Sequence, residues 1–465
     1  MRPLTAQWVA NAVAGTLVAE VDTTVTSVVK DSREAVLGSL YAAFVGEHVD
    51  GHDFVAQATA AGAVLSLVSQ HVDAPHVLVD DVQHALGALA RAYLALLRNE
   101  GELTVIGITG SNGKTTTKDL LSQVLPDVVA PVGSFNNEIG MPLTILRADA
   151  DTRHLVLEMG ASGPGHLTYL TSIAPLDIAV VLTVGSAHSG GYDSPEGIAM
   201  AKAELLGGLV PGGVAILNAD DQKVAAMASA AQRVVTFGTA DADIRAVDLT
   251  VNGGRASFAV ADTTPRLGGD GGPSTSPVRR LTLVGAHHVT NALAAVAVAR
   301  ECGIDLDEAS AAVAAARPLS AHRMAVTARA DGVTFIDDSY NASPESMKAA
   351  MRALVEVAEG GRTFAVIGEM REMGPQSREA HWDVGHHAVR LGIDHLIVVG
   401  EGAKPAFDSA VREGSWGDEA AYVGTIGEAR EFLERQVAAG DTVLIKASHG
   451  SGLWELADEL MGESQ

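Results

Sequence analysis

The stretch VIGITGSNGKTTTKDLL, residues 105–121, combines a buried-strand pattern, a glycine-rich turn and the start of a helix. Glycines in such a turn let backbone amides approach phosphate oxygens, and a helix N-terminus adds a favourable dipole. Lys114 would neutralise phosphate charge, and the hydroxyl of Thr115 would reach Mg²⁺. The strict motif has a glycine five residues before Gly113, where this chain has Ile108. The stretch predicts a variant phosphate-binding loop, and the alternative is a glycine-rich turn that binds nothing.

Outward from that loop, near-continuous apolar strands alternate with helical segments. The next buried-strand patterns in this part of the chain are HLVLEMG (154–160), DIAVVLTVG (177–185) and GVAILNAD (213–220). This alternation predicts a parallel sheet covered on both faces. The stretch 261–280 is rich in Gly, Pro, Ser and Thr, which predicts a flexible surface loop between hairpin-like strands.

The same patterns divide the chain into three blocks. Residues 1–101 mix short β-branched runs with Ala-rich helical stretches and end in an amphipathic helix, VQHALGALARAYLALL. Residues 102–316 hold the phosphate loop. Residues 317–465 hold four more strand patterns, which are VTFIDD (333–338), TFAVIGE (363–369), HLIVVGE (395–401) and TVLIKAS (442–448). We predict an α/β protein of three domains, in which a central P-loop ATPase domain with a parallel sheet lies between an N-terminal α/β domain and a C-terminal Rossmann-like domain.

Composition excludes several classes of protein. The 465 residues carry a formal charge of −25, and an acidic surface repels nucleic-acid backbones and anionic lipid headgroups. The single cysteine, Cys302, excludes an internal disulfide and a multi-cysteine zinc site. No apolar run reaches the length of a membrane span, and the apolar N-terminus predicts a core helix or strand instead of a signal peptide. The expected setting is the cytoplasm.

Further motifs follow the phosphate loop in a fixed order. They are SFNNEIGMPLTIL (134–146), VLEMGAS (156–162), TVGSAHSGGYDSPEGIAMAKAEL (183–205), LNADD (217–221), HRM (322–324) and FIDDSYNASPESMKAA (335–350). Together they resemble the Mur ligase family, and within it the MurF branch. The resemblance covers nearly the whole chain, and the combination of spaced motifs is far more specific than any one of them.

The resemblance implies a site for ATP shared by the second and third blocks. Arg323 would reach the γ-phosphate, Asp338 the ribose and Asn341 the adenine, while Tyr340 would pack against the base. Taken alone, the segment DDSYNASP predicts only a strand and a turn. The residues implied in nucleotide binding are Gly110, Ser111, Asn112, Gly113, Lys114, Thr115, Thr116, Arg323, Asp338, Tyr340 and Asn341.

The resemblance also implies a magnesium site. Its ligands would be Thr115, Glu158, His188 and Lys202. In the family, the lysine at the position of Lys202 is carbamoylated by CO₂, which turns an amine into an anionic oxygen ligand. On its own sequence context, Lys202 predicts a solvated helix lysine, and Glu158 an ordinary carboxylate at a strand end. The residues implied in catalysis are Lys114, His188, Lys202 and Arg323.

Substrate contacts are implied elsewhere in the chain. The first block resembles a uridine-nucleotide domain, in which Ser32 and Arg33 would contact the substrate, although these two residues alone predict a surface turn. Asn136, Asn137, Lys446 and Ser448 are the other implied substrate-binding residues. The chain departs from the family's pattern at His166, Thr183 and His449.

The implied reaction is the ATP-dependent addition of D-alanyl-D-alanine to UDP-MurNAc-tripeptide through an acyl phosphate, in the synthesis of peptidoglycan precursors. A monomer is the family expectation. A MurE-like ligase that adds the third amino acid is the nearest alternative, although its DNPR-type signature is absent. An ATP-binding regulator without ligase activity is an alternative from another class, and the presence of Glu158, His188 and Lys202 argues against it.

Overall fold

A computed structural model describes residues 1–46, 48–185, 194–264, 272–414 and 419–462. Three sheets of five, ten and six strands follow one another along the chain, and a separate two-stranded ribbon accompanies the first. The predicted α/β class is therefore confirmed. Where the described residues form helices, none is long and apolar enough to cross a membrane.

The first sheet is mostly parallel and has the strand order β2-β7-β6-β5-β4. Only β2 runs antiparallel to its neighbour. The amphipathic segment forms α3 as predicted, and the side chain of Asp81 caps its first turn. The elements are β1 Leu4–Thr5, α1 Ala6–Ala12, β2 Thr16–Val18, β3 Thr24–Val25, β4 Ser27–Val29, β5 Ser39–Ala42, α2 Val55–Ala61, β6 Ala63–Val68, β7 His76–Leu78 and α3 Val82–Glu100.

The second sheet is built around the phosphate loop, with the order β16-β15-β14-β13-β12-β11-β8-β10-β9 and β17 beside β15. Strands β8 to β14 are all parallel. The elements are β8 Thr104–Thr109, α4 Lys114–Val124, β9 Val128–Val129, α5 Gly140–Ile145, β10 His154–Glu158, α6 His166–Ile173, β11 Leu176–Val181, α7 Pro195–Ala203, β12 Leu209–Asn218, α8 Gln222–Ala225, β13 Val234–Gly238, β14 Ile244–Asn252, β15 Arg255–Asp262, β16 Ser274–Thr275, β17 Arg279–Arg280, α9 His288–Glu301 and α10 Leu306–Ala315.

Both faces of this sheet are covered, as the continuous apolar strands predicted. Helices α3, α5 and α6 pack against one face, and α4, α9 and α10 pack against the other. The stretch 261–280 differs in part from its prediction as a loop, because it contains the end of β15 and the short antiparallel strands β16 and β17. Residues 265–271 lie outside the described residues.

The third sheet has the order β18-β19-β23-β20-β21-β22, and only β18 is antiparallel. The four predicted strands are its interior strands β19, β20, β21 and β23. The elements are β18 Ala325–Ala328, β19 Thr334–Asp337, α11 Pro344–Ala358, β20 Thr363–Ile367, α12 Ser377–Leu391, β21 His395–Val399, α13 Lys404–Glu413, β22 Ala420–Val423, α14 Ile426–Gln436, β23 Thr442–Lys446 and α15 Leu453–Gly462.

The polar ends of the interior strands define where the site lies. In parallel sheets, ligands bind beyond the carboxyl ends of the strands. The carboxyl ends of β8 and β10 lie side by side, because Glu158 pairs with Ile108 in register. In the third sheet, Asp337 at the end of β19 pairs with Ile445 near the end of β23. The residues that follow these four strands meet in one cavity.

Candidate active site

The phosphate loop turns sharply between β8 and α4. Gly113 has a φ of +87°, and α4 begins at the next residue. A Cβ atom on Gly113 would lie 2.3 Å from Oδ1 of Asn291, so both the backbone conformation and the space require glycine. Gly107, one residue before the expected motif position, lies inside β8, and a Cβ there would meet the Leu176 side chain at 2.5 Å. Gly107 therefore serves the packing of the sheet and not the loop.

The ammonium group of Lys114 is directed back over the loop. Its Nζ donates a hydrogen bond of 2.7 Å to the carbonyl oxygen of Gly110. Burial lowers the pKa of Lys114, while the carboxylate of Glu158 acts in the opposite direction. A cation that is poorly hydrated and held by a carbonyl is well placed to pair with phosphate oxygens instead.

Oxygen donors surround Glu158 at the end of β10. The Thr115 hydroxyl donates to one carboxylate oxygen at 3.0 Å, and the Asn136 amide donates to the other at 3.0 Å. The Ser134 hydroxyl lies 3.1 Å from that of Thr115. Glu158 itself is 1% exposed. A buried carboxylate beside a hydroxyl, both facing the phosphate loop, is a donor set that suits Mg²⁺, which takes its remaining ligands from phosphates and water.

The other two predicted metal ligands, His188 and Lys202, do not lie among the oxygen donors around Glu158 that the structure describes. His188 lies outside the described residues. Within the described ranges, no group of three or more His, Cys, Asp or Glu side chains converges on one point. Of the predicted ligands, Thr115 and Glu158 are the two that the described residues bring together, and phosphate and water oxygens would supply further ligands.

Lys202 is buried in α7 and is 4% exposed, so the interpretation as a solvated helix lysine is wrong. Burial, together with the nearby positive charge of Lys114, lowers the pKa of Lys202 to about 7. A substantial fraction of this amine is therefore neutral near neutral pH, which is the form that reacts with CO₂.

Arg323 crosses from the third block to the phosphate loop. Its Nη2 lies 3.4 Å from the Thr115 hydroxyl and 3.3 Å from the Ser134 hydroxyl. The guanidinium carbon lies 4.2 Å from the centroid of the Tyr340 ring, in a cation–π contact. His322 and Met324, on either side of Arg323, both have positive φ angles, of +58° and +50°. The local backbone is thus bent around Arg323 and directs its side chain to the loop.

A buried lysine supports the segment after β19. Lys446 is 2% exposed, and its Nζ lies 2.5 Å from the Asp338 carboxylate and 2.8 Å from the Asn341 carbonyl oxygen. Burial lowers the pKa of Lys446, while the charge of Asp338 acts in the opposite direction. Lys446 was predicted to bind substrate. In the structure it lines the cavity and holds the segment that carries Asp338, Tyr340 and Asn341 in place.

These groups enclose a single cavity of about 610 Å³, a size typical of small-molecule sites. Most of the predicted nucleotide residues and two of the four predicted metal ligands line it, together with three of the predicted substrate residues. The lining residues that the sequence predicted are Ser111, Asn112, Gly113, Lys114, Thr115, Thr116, Asn136, Glu158, Arg323, Asp338, Tyr340, Asn341, Lys446 and Ser448.

The remaining predicted substrate residues lie off the cavity wall. The Asn137 side chain accepts the backbone N–H of Gly140 at 2.9 Å at the start of α5, which gives it a structural role in this geometry. The Ser32 hydroxyl is buried and donates to Gln57 at 3.1 Å. Arg33 forms a 2.5 Å ion pair with Asp31, and four fifths of its side chain is exposed.

The sequence interpretation missed several lining residues. His287, His288 and Asn291 line the cavity at the start of α9, and Ser134 lines it between Thr115 and Arg323. Most of helix α9 is apolar and buried, and its other polar residues, Thr290, Arg300 and Glu301, are not among its buried ones. Buried polar side chains are costly unless they are hydrogen-bonded, so polar residues within an apolar helix were the signal that could have found His288 and Asn291.

Two of the departures from the family's pattern have local partners. His166 lies 3.0 Å from the Glu138 carboxylate, and the Thr183 hydroxyl accepts the backbone N–H of Asn112 at 3.2 Å. The third, His449, stacks on Trp454 with ring centroids 5.4 Å apart. The substitutions thus replace charged or amide groups with contacts that hold the loops around the cavity.

Comparisons with known proteins identify the chain's relatives. The Mur ligase middle domain matches residues 108–299, and the Mur ligase, glutamate ligase domain matches residues 322–449. The UDP-N-acetylmuramoyl-tripeptide–D-alanyl-D-alanine ligase of Mycobacterium leprae is 42% identical, over 94% of this chain and 93% of that one. The ligase of the same name from Escherichia coli is 32% identical, over 94% of each chain.

Solved structures agree with these relatives. A crystal structure of MurF from Acinetobacter baumannii has a TM-score of 0.87 at 30% identity and covers 99% of both chains. MurF ligase from Thermotoga maritima in complex with ADP has a TM-score of 0.79 at 29% identity, over 94% of this chain and 97% of that one. The shared sequence, the shared fold and the two matching domains show that this chain belongs to the Mur ligase family.

Proposed function

We infer that this chain is an ATP-dependent ligase that joins D-alanyl-D-alanine to UDP-MurNAc-tripeptide in peptidoglycan precursor synthesis. The relatives that carry this activity in their names match over almost the full length of both chains. The observation that carries the inference is the cavity itself, which Lys114 at the start of α4 and Arg323 of the third block both line. Two cations from different parts of the chain in one cavity suit the transfer of a phosphoryl group between two bound substrates.

The proposed chemistry has two steps. An oxygen of the tripeptide carboxylate attacks the γ-phosphorus of ATP, and the bond from that phosphorus to the β-phosphate oxygen breaks. The products are ADP and an acyl phosphate. The neutral amine of the dipeptide then attacks the carbonyl carbon, the bond to phosphate breaks, and the amide forms with loss of a proton. Lys114 and Arg323 stabilise the negative charge on the transferred group, and positioning supplies the rest, so no protein nucleophile is required.

The nucleotide would lie across the junction. Gly113 and Thr116 would present backbone amides to its phosphates, because they lie at the N-terminus of α4. Gly110, Ser111 and Asn112 would form the turn that surrounds the phosphates, in which the amides of Ser111 and Asn112 are bonded to Thr183. Asp338 would contact the ribose, Asn341 would lie near the adenine, and Tyr340 would pack against the base. Lys446 supports this part of the site by holding Asp338 and Asn341. The complex of the Thermotoga maritima relative with ADP supports the use of ATP.

Mg²⁺ would be held by Thr115 and Glu158, with His188 and Lys202 as further proposed ligands. The ion would neutralise phosphate charge when bound. Burial first, and the charge of Lys114 second, lower the pKa of Lys202 and so disfavour its cationic form. As a carbamate it would carry a negative charge, which replaces repulsion from Lys114 by attraction. The reaction is RNH₂ + CO₂ → RNHCOO⁻ + H⁺.

The proposal extends to the arrangement of the whole chain. Residues 1–101 would bind the uridine nucleotide through Ser32 and Arg33, residues 102–316 would bind ATP, and residues 317–465 would close over it. Asn136, Asn137 and Ser448 would contact the peptide substrates. We propose that the enzyme acts as a monomer. We also propose that it acts in the cytoplasm, where its UDP-linked and nucleotide substrates would be found.

The acceptor specificity tests the function directly. With ATP and UDP-MurNAc-tripeptide, we expect phosphate release to require D-alanyl-D-alanine and not to be supported by single amino acids. Turnover with a single amino acid on the shorter UDP-MurNAc-dipeptide instead would favour the MurE-like alternative. Binding of ATP without turnover with any acceptor would favour the regulator.

The glycine of the phosphate loop has a matched control. Gly113→Ala should weaken ATP binding by at least about tenfold, because its Cβ would strike Asn291 and its φ is positive. Gly165 precedes α6 with nearly the same backbone angles, and a Cβ there meets nothing within 4 Å. Gly165→Ala carries the same backbone strain and should bind ATP normally in an equilibrium titration. Equal loss of affinity in both variants would contradict the proposed role of the loop.

The carbamate of Lys202 can be tested by removal and replacement. Lys202→Ala should lower kcat by about 10- to 100-fold, and acetate or formate should restore part of the activity by supplying a carboxylate. Loading of the wild type with isotopically labelled CO₂, followed by NMR, should rise as pH rises through about 7, where the amine becomes neutral. Lys223→Ala, at an exposed lysine in α8, is the control. A fully active Lys202→Ala variant would refute the proposal.

A further inference from the structure

Helix α4 carries a second set of polar groups, one turn after the phosphate loop. Lys118 and Asp119 are 3% and 4% exposed, and their side chains form an ion pair with each other. Residues four apart on a helix lie on the same side, so Asp119 follows Thr115 along the surface of α4. Neither Lys118 nor Asp119 lines the main cavity, although α4 begins there.

The partner of this pair is the segment that leads to Arg323. The Asp119 carboxylate accepts the backbone N–H of Ser320 at 2.9 Å and the Ser320 hydroxyl at 3.1 Å. One turn further along α4, the Gln123 side chain exchanges two hydrogen bonds with the backbone of Arg317, of 2.9 and 3.0 Å. The segment 317–320 is thus fixed on α4 by three hydrogen bonds of its backbone and by the Ser320 hydroxyl.

Arg323 follows that fixed segment by three residues. Asp119 and Arg323 both line one small cavity beside α4. On the other side of Arg323, His322 lies 2.6 Å from the Asp337 carboxylate at the end of β19. Arg323 is therefore held between one attachment to α4 and another to the third sheet.

We propose that Asp119 is a positioning residue that sets the distance between Arg323 and the phosphate loop by holding Ser320 on α4. The inference rests on the proposed role of Arg323 in phosphoryl transfer. Helix α4 also begins with Lys114 and Thr115 of the phosphate loop. The same helix therefore carries these two residues and the carboxylate that would position Arg323. Lys118 balances the charge of Asp119, so that the carboxylate can accept both hydrogen bonds at low solvent exposure.

If the Lys118–Asp119 ion pair only stabilised the fold, its loss would change kcat by the same factor whether or not Arg323 is present. A double-mutant cycle separates the two roles. We expect Asp119→Asn to lower kcat for phosphate release by about 10- to 100-fold, since a displacement of about 1 Å at a reacting group has effects of that size. In the Arg323→Ala background, the same substitution should change kcat by less than about twofold, because the group that it positions is absent.

Two further variants guard the test. Ser320→Ala removes the hydroxyl that donates to Asp119 and accepts from Lys118, and it leaves the backbone bond to Asp119 and the Lys118–Asp119 pair intact. It should show a smaller loss of kcat that also disappears with Arg323→Ala. It serves as the test if Asp119→Asn does not fold. Asp262 is as buried as Asp119 and pairs with Arg300 at 2.7 Å, remote from the cavity. Asp262→Asn should lower thermal stability and give the same fold-change in kcat with and without Arg323.

The outcomes distinguish the two claims. If Asp119→Asn lowers kcat by the same factor in both backgrounds, or leaves it unchanged in the wild type, the positioning role is wrong. If Arg323→Ala alone retains wild-type kcat, the proposed role of Arg323 is wrong and the positioning role falls with it. A loss with Asp119→Asn that disappears in the Arg323→Ala background would support both.

Discussion

The contact between Arg323 and the hydroxyls of Thr115 and Ser134 is the interaction on which the rest of the site depends. It joins the third block to the phosphate loop across 208 positions of sequence. The whole chain has a formal charge of −25 and repels anions at long range. Cations from two parts of the chain that line one cavity oppose that field locally, where the low dielectric strengthens each contact.

The neighbours of this contact follow from it. The carboxylate of Glu158 would repel phosphate, and its proposed role is to hold Mg²⁺, whose charge would offset that repulsion. Lys114 and Lys202 cannot both be cations at low cost, because both are desolvated and their charges repel. The family's carbamate would resolve that conflict. The electrostatics of the described residues thus favour the proposed ligand set, although His188 lies outside them.

The interior strands could be predicted from the sequence because a parallel strand buried on both faces must be apolar at nearly every position. Strands β18 and β22 were missed because they lie at the edges of the third sheet, and most of their residues are only half-buried. The phosphate loop was found because its glycine and lysine are adjacent in sequence. The side-chain roles of Asn137 and Lys446 could not be found this way, since their partners are set by the fold.

Long-range pairs set the same limit on the rest of the site. The space beside Gly113 is occupied by the side chain of Asn291. Ser320, which Asp119 holds, lies about two hundred positions after Asp119 in the sequence. No local sequence pattern predicts these contacts, because they arise when α9 and the segment 317–320 pack on α4. The family resemblance placed Arg323 in the site, and the structure adds what holds it there.

The most direct test of the account is the ratio of ATP to ADP affinity in the wild type and in Arg323→Ala, measured by equilibrium titration with Mg²⁺ present. If Arg323 contacts the γ-phosphate from across the junction, the substitution should weaken ATP binding by about tenfold or more and leave ADP binding nearly unchanged. An equal loss of affinity for both nucleotides, or no loss for either, would contradict the claim that this contact organises the site.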